Sequence, residues 1–131
     1  GRSENVSLLN KNYKKKIILI DRFIDSTVAY QHYGLGVSLK LINAINKHIL
    51  KNFKIDFTFL NIVNQKNMNK RLKSRKLLNR YDKFNNNFYQ KVQKGFLKIC
   101  SKNNNKYQII NSNLDIEKNK SIIIKKIDKL I

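Results

Sequence analysis

Short β-branched and aromatic runs alternating with helix-period stretches predict an α/β protein whose parallel sheet is flanked by helices. Three runs carry the strand signal: Ile17-Ile18-Leu19-Ile20 leading to Asp21, Ile55–Val63, and Tyr107–Ile110. Among them stand apolar residues spaced three and four apart: Leu39, Ile42, Ile45, Ile49 and Leu50 in one stretch, Phe88, Val92, Phe96 and Ile99 in another. Such spacing puts one apolar stripe on each helix.

In chain order, Val6, Leu8 and Leu9 mark the end of a helix within 2–12, and residues 11–16 form a loop into the first strand, 17–21. A short helix is expected from Asp25 to Tyr33, with Asp25 or Ser26 as its N-cap and Gly34 and Gly36 breaking it. Ser38 opens the amphipathic helix over 38–51. The second strand follows at 55–63. Residues 67–78 predict a basic helix bearing Met68, Arg71, Leu72 and Arg75, and 79–87 a polar connection. The helix at 88–99 stops before the Asn103-Asn104-Asn105 turn, the third strand occupies 107–110, and a final amphipathic helix spans 116–131. No repeat or linker interrupts the chain, so residues 1–131 read as one domain.

The 131 residues suffice for one domain with a core, and their 41% hydrophobic content is ordinary for a folded protein. No apolar run approaches the roughly 18–20 residues of a membrane helix. Residues 1–5 do not read as a signal peptide, and the lack of a starting Met makes Gly1 an expected internal start. Cys100 is the single cysteine, which excludes an intrachain disulfide and a cysteine-only metal site and fits a reducing, cytoplasmic setting. It reads as a small apolar filler late in a helix. His48 has no His, Cys or carboxylate partner at i±4 and reads as a surface or packing residue.

The formal charge of +20 invites a nucleic-acid reading. Lysine is nevertheless scattered through every segment, Asn and Ile are inflated beside it, and Pro is absent, as AT-rich coding produces whatever the function. No basic stretch is interleaved with aromatics as on a single-strand-binding surface. Nonspecific affinity for polyanions follows from the charge. A basic nucleic-acid-binding module stands as the alternative from another class.

The most informative stretch is Asp21–Gly36, DRFIDSTVAYQHYGLG, where an acid–arginine pair emerges from an apolar strand. In open α/β sheets, ligands bind at that edge. The stretch closely resembles the "DRY/DRH…S…AYQ" signature of thymidylate kinases. Residues 55–60, IDFTFL, resemble that family's "PDLTFLL" strand, with Ile55 in place of proline. Arg71, Arg75 and Asn79-Arg80-Tyr81-Asp82 fall where the family has an arginine-bearing lid, here about 71–84. Phe88–Val92 with Gly95-Phe96-Leu97 is similar to its "F…RV…GYLEL" helix, Ile109–Ser112 to its "IDA" strand end, and Arg2 to its "AAR" arginine. The similarity runs in order over essentially the whole chain.

The resemblance implies a P-loop NTP hydrolase-like kinase that transfers a phosphoryl group from ATP to dTMP with Mg²⁺, giving dTDP, and that in its family is a cytoplasmic homodimer. Helix 38–51 and the helix ending before residue 12 are candidates for apolar contact surface. Neither specific nucleic-acid binding nor a membrane is implied. Another P-loop deoxynucleoside or nucleotide kinase is the alternative within the class, with the AYQ-plus-glycine continuation against it. Asp21 would hold Mg²⁺ through water, and Arg22 would grip the dTMP phosphate bidentately. Ser26 and Thr27 offer hydroxyls near phosphate and base. Tyr30 would border the deoxyribose and crowd a 2′-hydroxyl, Gln31 would reach phosphate or base, and Arg2 the thymine edge. Lid arginines Arg71, Arg75 and Arg80 would close over ATP, with Arg80 the first choice for stabilising charge on the transferred group. Two departures stand in the motif: His32 replaces a usual glycine, and Leu35 replaces the arginine of "GRG".

The family's GxxxxGK[ST] loop, whose backbone N–H groups and Lys hold the ATP phosphates, has no counterpart among the four glycines here. The expectation is therefore a chain matching the C-terminal two-thirds of the family, with first strand and P-loop missing and such a loop roughly 60–70 residues ahead of Gly1. The missing strand would lie between those at 17–21 and 55–62. Two unpaired strand edges would then be exposed, so the chain is expected to fold poorly alone and to lack turnover.

Overall fold

The computed structural model describes residues 16–52, 54–64, 66–67, 70, 73 and 86–131. Its elements are helix α1 (Ile24–Thr27) running into a π-helical segment (Val28–Gly34), helix α2 (Leu39–Ile49), strand β1 (Thr58–Ile62), helix α3 (Asn86–Lys102), a 3₁₀ turn (Asn104–Lys106), strand β2 (Tyr107–Asn111) and helix α4 (Ile116–Leu130). The strands pair in parallel, with Thr58 opposite Tyr107 and Ile62 opposite Asn111, and α3 lies between them in the chain. This is the predicted α/β alternation, reduced among the described residues to two strands flanked by four helices.

The expected strand at 17–21 is not part of the sheet. A strand exists by its ladder, and both described strands pair with each other. Ile17 and Leu19 consequently stand 65% and 80% exposed. The second strand is shorter than its apolar run, because pairing begins only at Thr58. The helix over 88–99 extends two residues further at its start, to Asn86, and three at its end, to Lys102. The basic helix expected over 67–78 lies largely outside the described residues, as does the expected helix end before residue 12.

Ser38 caps α2 as expected, its hydroxyl accepting the Leu41 N–H at 3.4 Å. Asp115 caps α4 in the same manner through the Glu117 N–H at 3.0 Å. Each satisfies a donor that a helix start leaves orphaned. The capping expectation for α1 fails. That helix begins at Ile24 with Phe23 in the cap position and no side-chain capping bond. Asp25 is inside its first turn, and its carboxylate is engaged elsewhere.

The core sits where the π-helical segment meets α3. Ala29, Phe88 and Val92 are buried together, with Tyr30, Tyr89, Phe96 and Ile99 packed against them. Two glycines permit the approach, one from each side. A Cβ on Gly34 would meet Phe88 Cε2 at 2.6 Å, and one on Gly95 would meet Tyr33 Cβ at 2.6 Å. In the second layer, Leu60 and Ile110 are buried on the sheet, and Lys126 of α4 lays its ammonium over the Phe57 ring at 4.7 Å. The carboxyl end of β1 is clamped by Gln93 of α3. Its amide nitrogen donates to the Val63 carbonyl at 2.9 Å, while its carbonyl accepts the Val63 N–H at 3.2 Å. Cys100 is buried late in α3, as expected, and burial pushes its thiol pKa up. His48 is exposed in the last turn of α2.

Candidate active site

Residues 17–20 run to a bend at Asp21 and Arg22, just ahead of α1. Arg22 has φ of 59°, the left-handed backbone region. For a residue with a Cβ this conformation costs about 1–2 kcal/mol, so surrounding structure has to hold it. Its guanidinium carbon lies 5.7 Å from the Tyr30 ring centroid, within cation–π range. Tyr30 is in turn packed against α3: its ring meets Phe88 at 6.0 Å and Phe96 edge-on at 6.3 Å. A continuous contact series thus runs from the core of α3 through Tyr30 to an exposed arginine.

The continuation of α1 as a π-helix is visible in the Leu35 N–H, which donates to the Tyr30 carbonyl five residues back at 3.1 Å. Widened turns of this kind recur at functional sites. The segment closes through His32, whose Nδ1 donates to the Val37 carbonyl at 2.8 Å. Since a carbonyl only accepts, Nδ1 carries the proton. Gly36, with φ of 78°, completes the turn, its N–H donating to the His32 carbonyl at 2.8 Å. Thus the histidine that stands in place of a glycine pins the loop, and Leu35, in place of an arginine, points an exposed apolar side chain from it.

Of the residues singled out in the sequence, the structure brings Arg22 and Tyr30 into contact. Asp21 is exposed beside Arg22. Ser26 and Thr27 are half-buried in α1, and Gln31 is half-buried in the π-helical segment, its carbonyl accepting the Val37 N–H at 2.8 Å. Arg2, Arg71, Arg75 and Arg80 lie outside the described residues, as does the lid apart from residue 73.

Asp25 is the residue that sequence reasoning placed wrongly, as a cap. Its Oδ2 accepts the Tyr107 hydroxyl at 2.6 Å, across 82 residues of chain. Burial raises the Asp25 pKa from its ordinary value, and the tyrosine bond pulls it partly back. The Tyr107 pKa is raised in turn, first by burial and then by this carboxylate, so the phenol stays a donor well into alkaline pH. Nothing local in the sequence signals a partner so distant. An aspartate in the first turn of a helix is already explained by the helix dipole.

A site for Mg²⁺ fits what is present. Among the described residues no cluster of three or more His, Cys, Asp or Glu side chains could cage a metal. Mg²⁺, however, usually keeps several waters and takes one or two carboxylates plus substrate phosphates. An exposed Asp21 suits that arrangement.

These features define an α/β protein with an exposed arginine, stacked on a tyrosine, at the start of a helix. The chain belongs to the thymidylate kinase family, whose model matches residues 2–123. It is 38% identical over 105 residues to a thymidylate kinase of Wolbachia pipientis from Culex pipiens (strain wPip), covering 80% of this chain and 49% of that protein. With the thymidylate kinase of the Wolbachia endosymbiont of Brugia malayi (strain TRS) the identity is 34% over 117 residues, covering 89% and 55%. The crystal structure of thymidylate kinase from Ehrlichia chaffeensis superimposes with a TM-score of 0.63 at 28% identity, covering 98% of this chain and 61% of that one. The chain spans about half the length of the curated relatives it matches. No helix among the described residues is long and apolar enough to cross a membrane.

Proposed function

We propose that this chain carries the acceptor-nucleotide part of a thymidylate kinase, and that the full-length protein transfers a phosphoryl group from ATP to dTMP, giving dTDP for dTTP synthesis. The observation that carries this reading is Arg22, held in a strained backbone on the Tyr30 ring at the start of α1. Strain of this kind persists where the surroundings impose it, and it clusters at ligand clamps.

Phosphoryl transfer asks a protein chiefly to position two phosphates in line and to neutralise their charge. Arg22 provides two parallel N–H donors for the dTMP phosphate, a geometry that an ammonium lacks. Tyr30 holds the guanidinium from one side and, bordering the deoxyribose, leaves no room for a 2′-hydroxyl. Ser26, Thr27 and Gln31 offer hydrogen bonds to phosphate and base. Asp21 would hold Mg²⁺ through water; when bound, the ion neutralises charge between the phosphates. Arg2 is assigned to the thymine edge. Arg71, Arg75 and Arg80 are assigned to the lid, with Arg80 stabilising charge on the transferred group. All of 1–131 is assigned to one domain, and the full-length protein to a cytoplasmic homodimer. Because the sequence contains no GxxxxGK[ST] cradle, the chain alone is expected to show no turnover. Steady ATP-dependent conversion of dTMP by the purified 131 residues would refute that expectation.

Calorimetric titration of the full-length protein with dTMP, dUMP and thymidine tests the reading. Arg22→Lys should weaken dTMP roughly tenfold and leave thymidine unchanged, since only the bidentate phosphate contact is lost. A chain that does not discriminate dTMP from thymidine would sink the assignment of Arg22.

A further inference from the structure

The acceptor reading leaves open what holds Arg22 in its strained conformation. Tyr30 contacts its guanidinium, but the backbone is strained one residue before the cap of α1, whose start has no side-chain cap although the helix continues into the π-helical segment. Three residues after Arg22, Asp25 reaches out of that helix to the Tyr107 hydroxyl at 2.6 Å. Tyr107 is the first residue of β2 and pairs with Thr58 of β1, so it belongs to the sheet. Tyr107 lines a cavity of about 330 Å³ with Ile24, Leu50, Lys54 and Thr58 among its walls, and its hydroxyl is tied by the hydrogen bond to Asp25.

We propose that Asp25 is a positioning residue: through the Tyr107 hydroxyl it anchors the start of α1 to the sheet and so sets Arg22 for the acceptor phosphate. This rests on the acceptor-site reading and adds to it a residue that contacts no nucleotide. The carboxylate accepts a short, half-buried hydrogen bond, of the stronger class in which one partner is ionised.

The test uses the full-length protein that carries this chain, with dTMP and thymidine as probes, in Tyr107→Phe, Asp25→Ala, the double variant and Asp25→Asn. Tyr107→Phe and Asp25→Ala should each weaken dTMP roughly five- to tenfold, the double variant no further than either alone. Asp25→Asn, whose amide oxygen still accepts the hydroxyl, should bind dTMP within about twofold of wild type. Thymidine affinity should stay constant throughout, a split that mere loss of folded protein cannot produce. Amide exchange supplies an independent readout. The Ser26 N–H, which donates to the Phe23 carbonyl at 3.2 Å, should exchange faster in Tyr107→Phe while Val92 in α3 stays protected. Unchanged dTMP binding, parallel loss of dTMP and thymidine, or unaltered Ser26 exchange would each overturn the proposal. A folded wild-type protein that binds neither ligand would refute the acceptor reading instead. In that case faster Ser26 exchange in Tyr107→Phe still supports the anchor, and unchanged exchange refutes it.

Discussion

Replacing Gly95 with alanine probes the contact on which the candidate site rests, that of α3 with the π-helical segment. An ideal Cβ at residue 95 would sit 2.6 Å from Tyr33 Cβ and 2.7 Å from its Cγ and Cδ2. Carbon atoms in favourable contact lie about 3.5–4.0 Å apart, so the two elements would have to separate by roughly 1 Å. Tyr33 Cβ is one bond from its backbone, and no rotamer change clears it. A gap of that size forfeits a quarter to a half of each contact's dispersion energy, and overpacking of this kind costs about 2–3 kcal/mol. Opposing it, alanine is favoured over glycine inside a helix by about 1 kcal/mol. The net expectation is a destabilisation of about 1–2 kcal/mol, or roughly 3–8 °C in Tm for a domain of this size. Thermal unfolding followed by circular dichroism measures it, with Lys94→Ala, exposed on the same helix, as the control expected to change little. If Gly95→Ala proved as stable as wild type or more so, helix propensity would have prevailed and the close approach of Tyr33 would be refuted.

Three further outcomes are expected. Because the Asp25 pKa is raised in the folded state, its contribution to stability is fully present below its ordinary value of 3.8 and is lost as pH rises through the folded value. Relative to Asp25→Asn, wild type should therefore gain stability as pH falls from about 7 toward 4 in denaturant titrations. Tyr107 and Cys100, the other titratable groups in that cluster, are both raised and do not ionise in this range. Asn46 is buried in α2 with its Oδ1 unpartnered among the described residues. Asn46→Leu should stabilise the chain by about 1 kcal/mol in chemical denaturation, and a loss would show that the amide is satisfied by water. Arg22→Gly relieves the strained φ of 59° but removes the guanidinium. Stability should change by less than about 1 kcal/mol while dTMP affinity collapses; equal loss of both would mean that Arg22 is structural.

Much of this molecule was legible as sequence because the forces involved are local. The apolar spacing in α2, the Ser38 cap and the β-branched run at β1 each report a preference that a few neighbouring residues satisfy by themselves. The Asp21–Gly36 motif likewise identified a family, since the order of side chains along one short stretch of backbone carries that information. Three features escaped such reading. The run 17–20 has every strand attribute yet no ladder, because pairing depends on which other backbone lies alongside. The extension of α1 as a π-helix accompanies the packing of Tyr30 and Tyr33 onto α3, which Gly34 and Gly95 admit. The partner of Asp25 lies 82 residues away. Local propensity and motif order were thus present in the chain itself, whereas strand pairing, the strained arginine and its anchor depend on surfaces that meet only once the chain has folded.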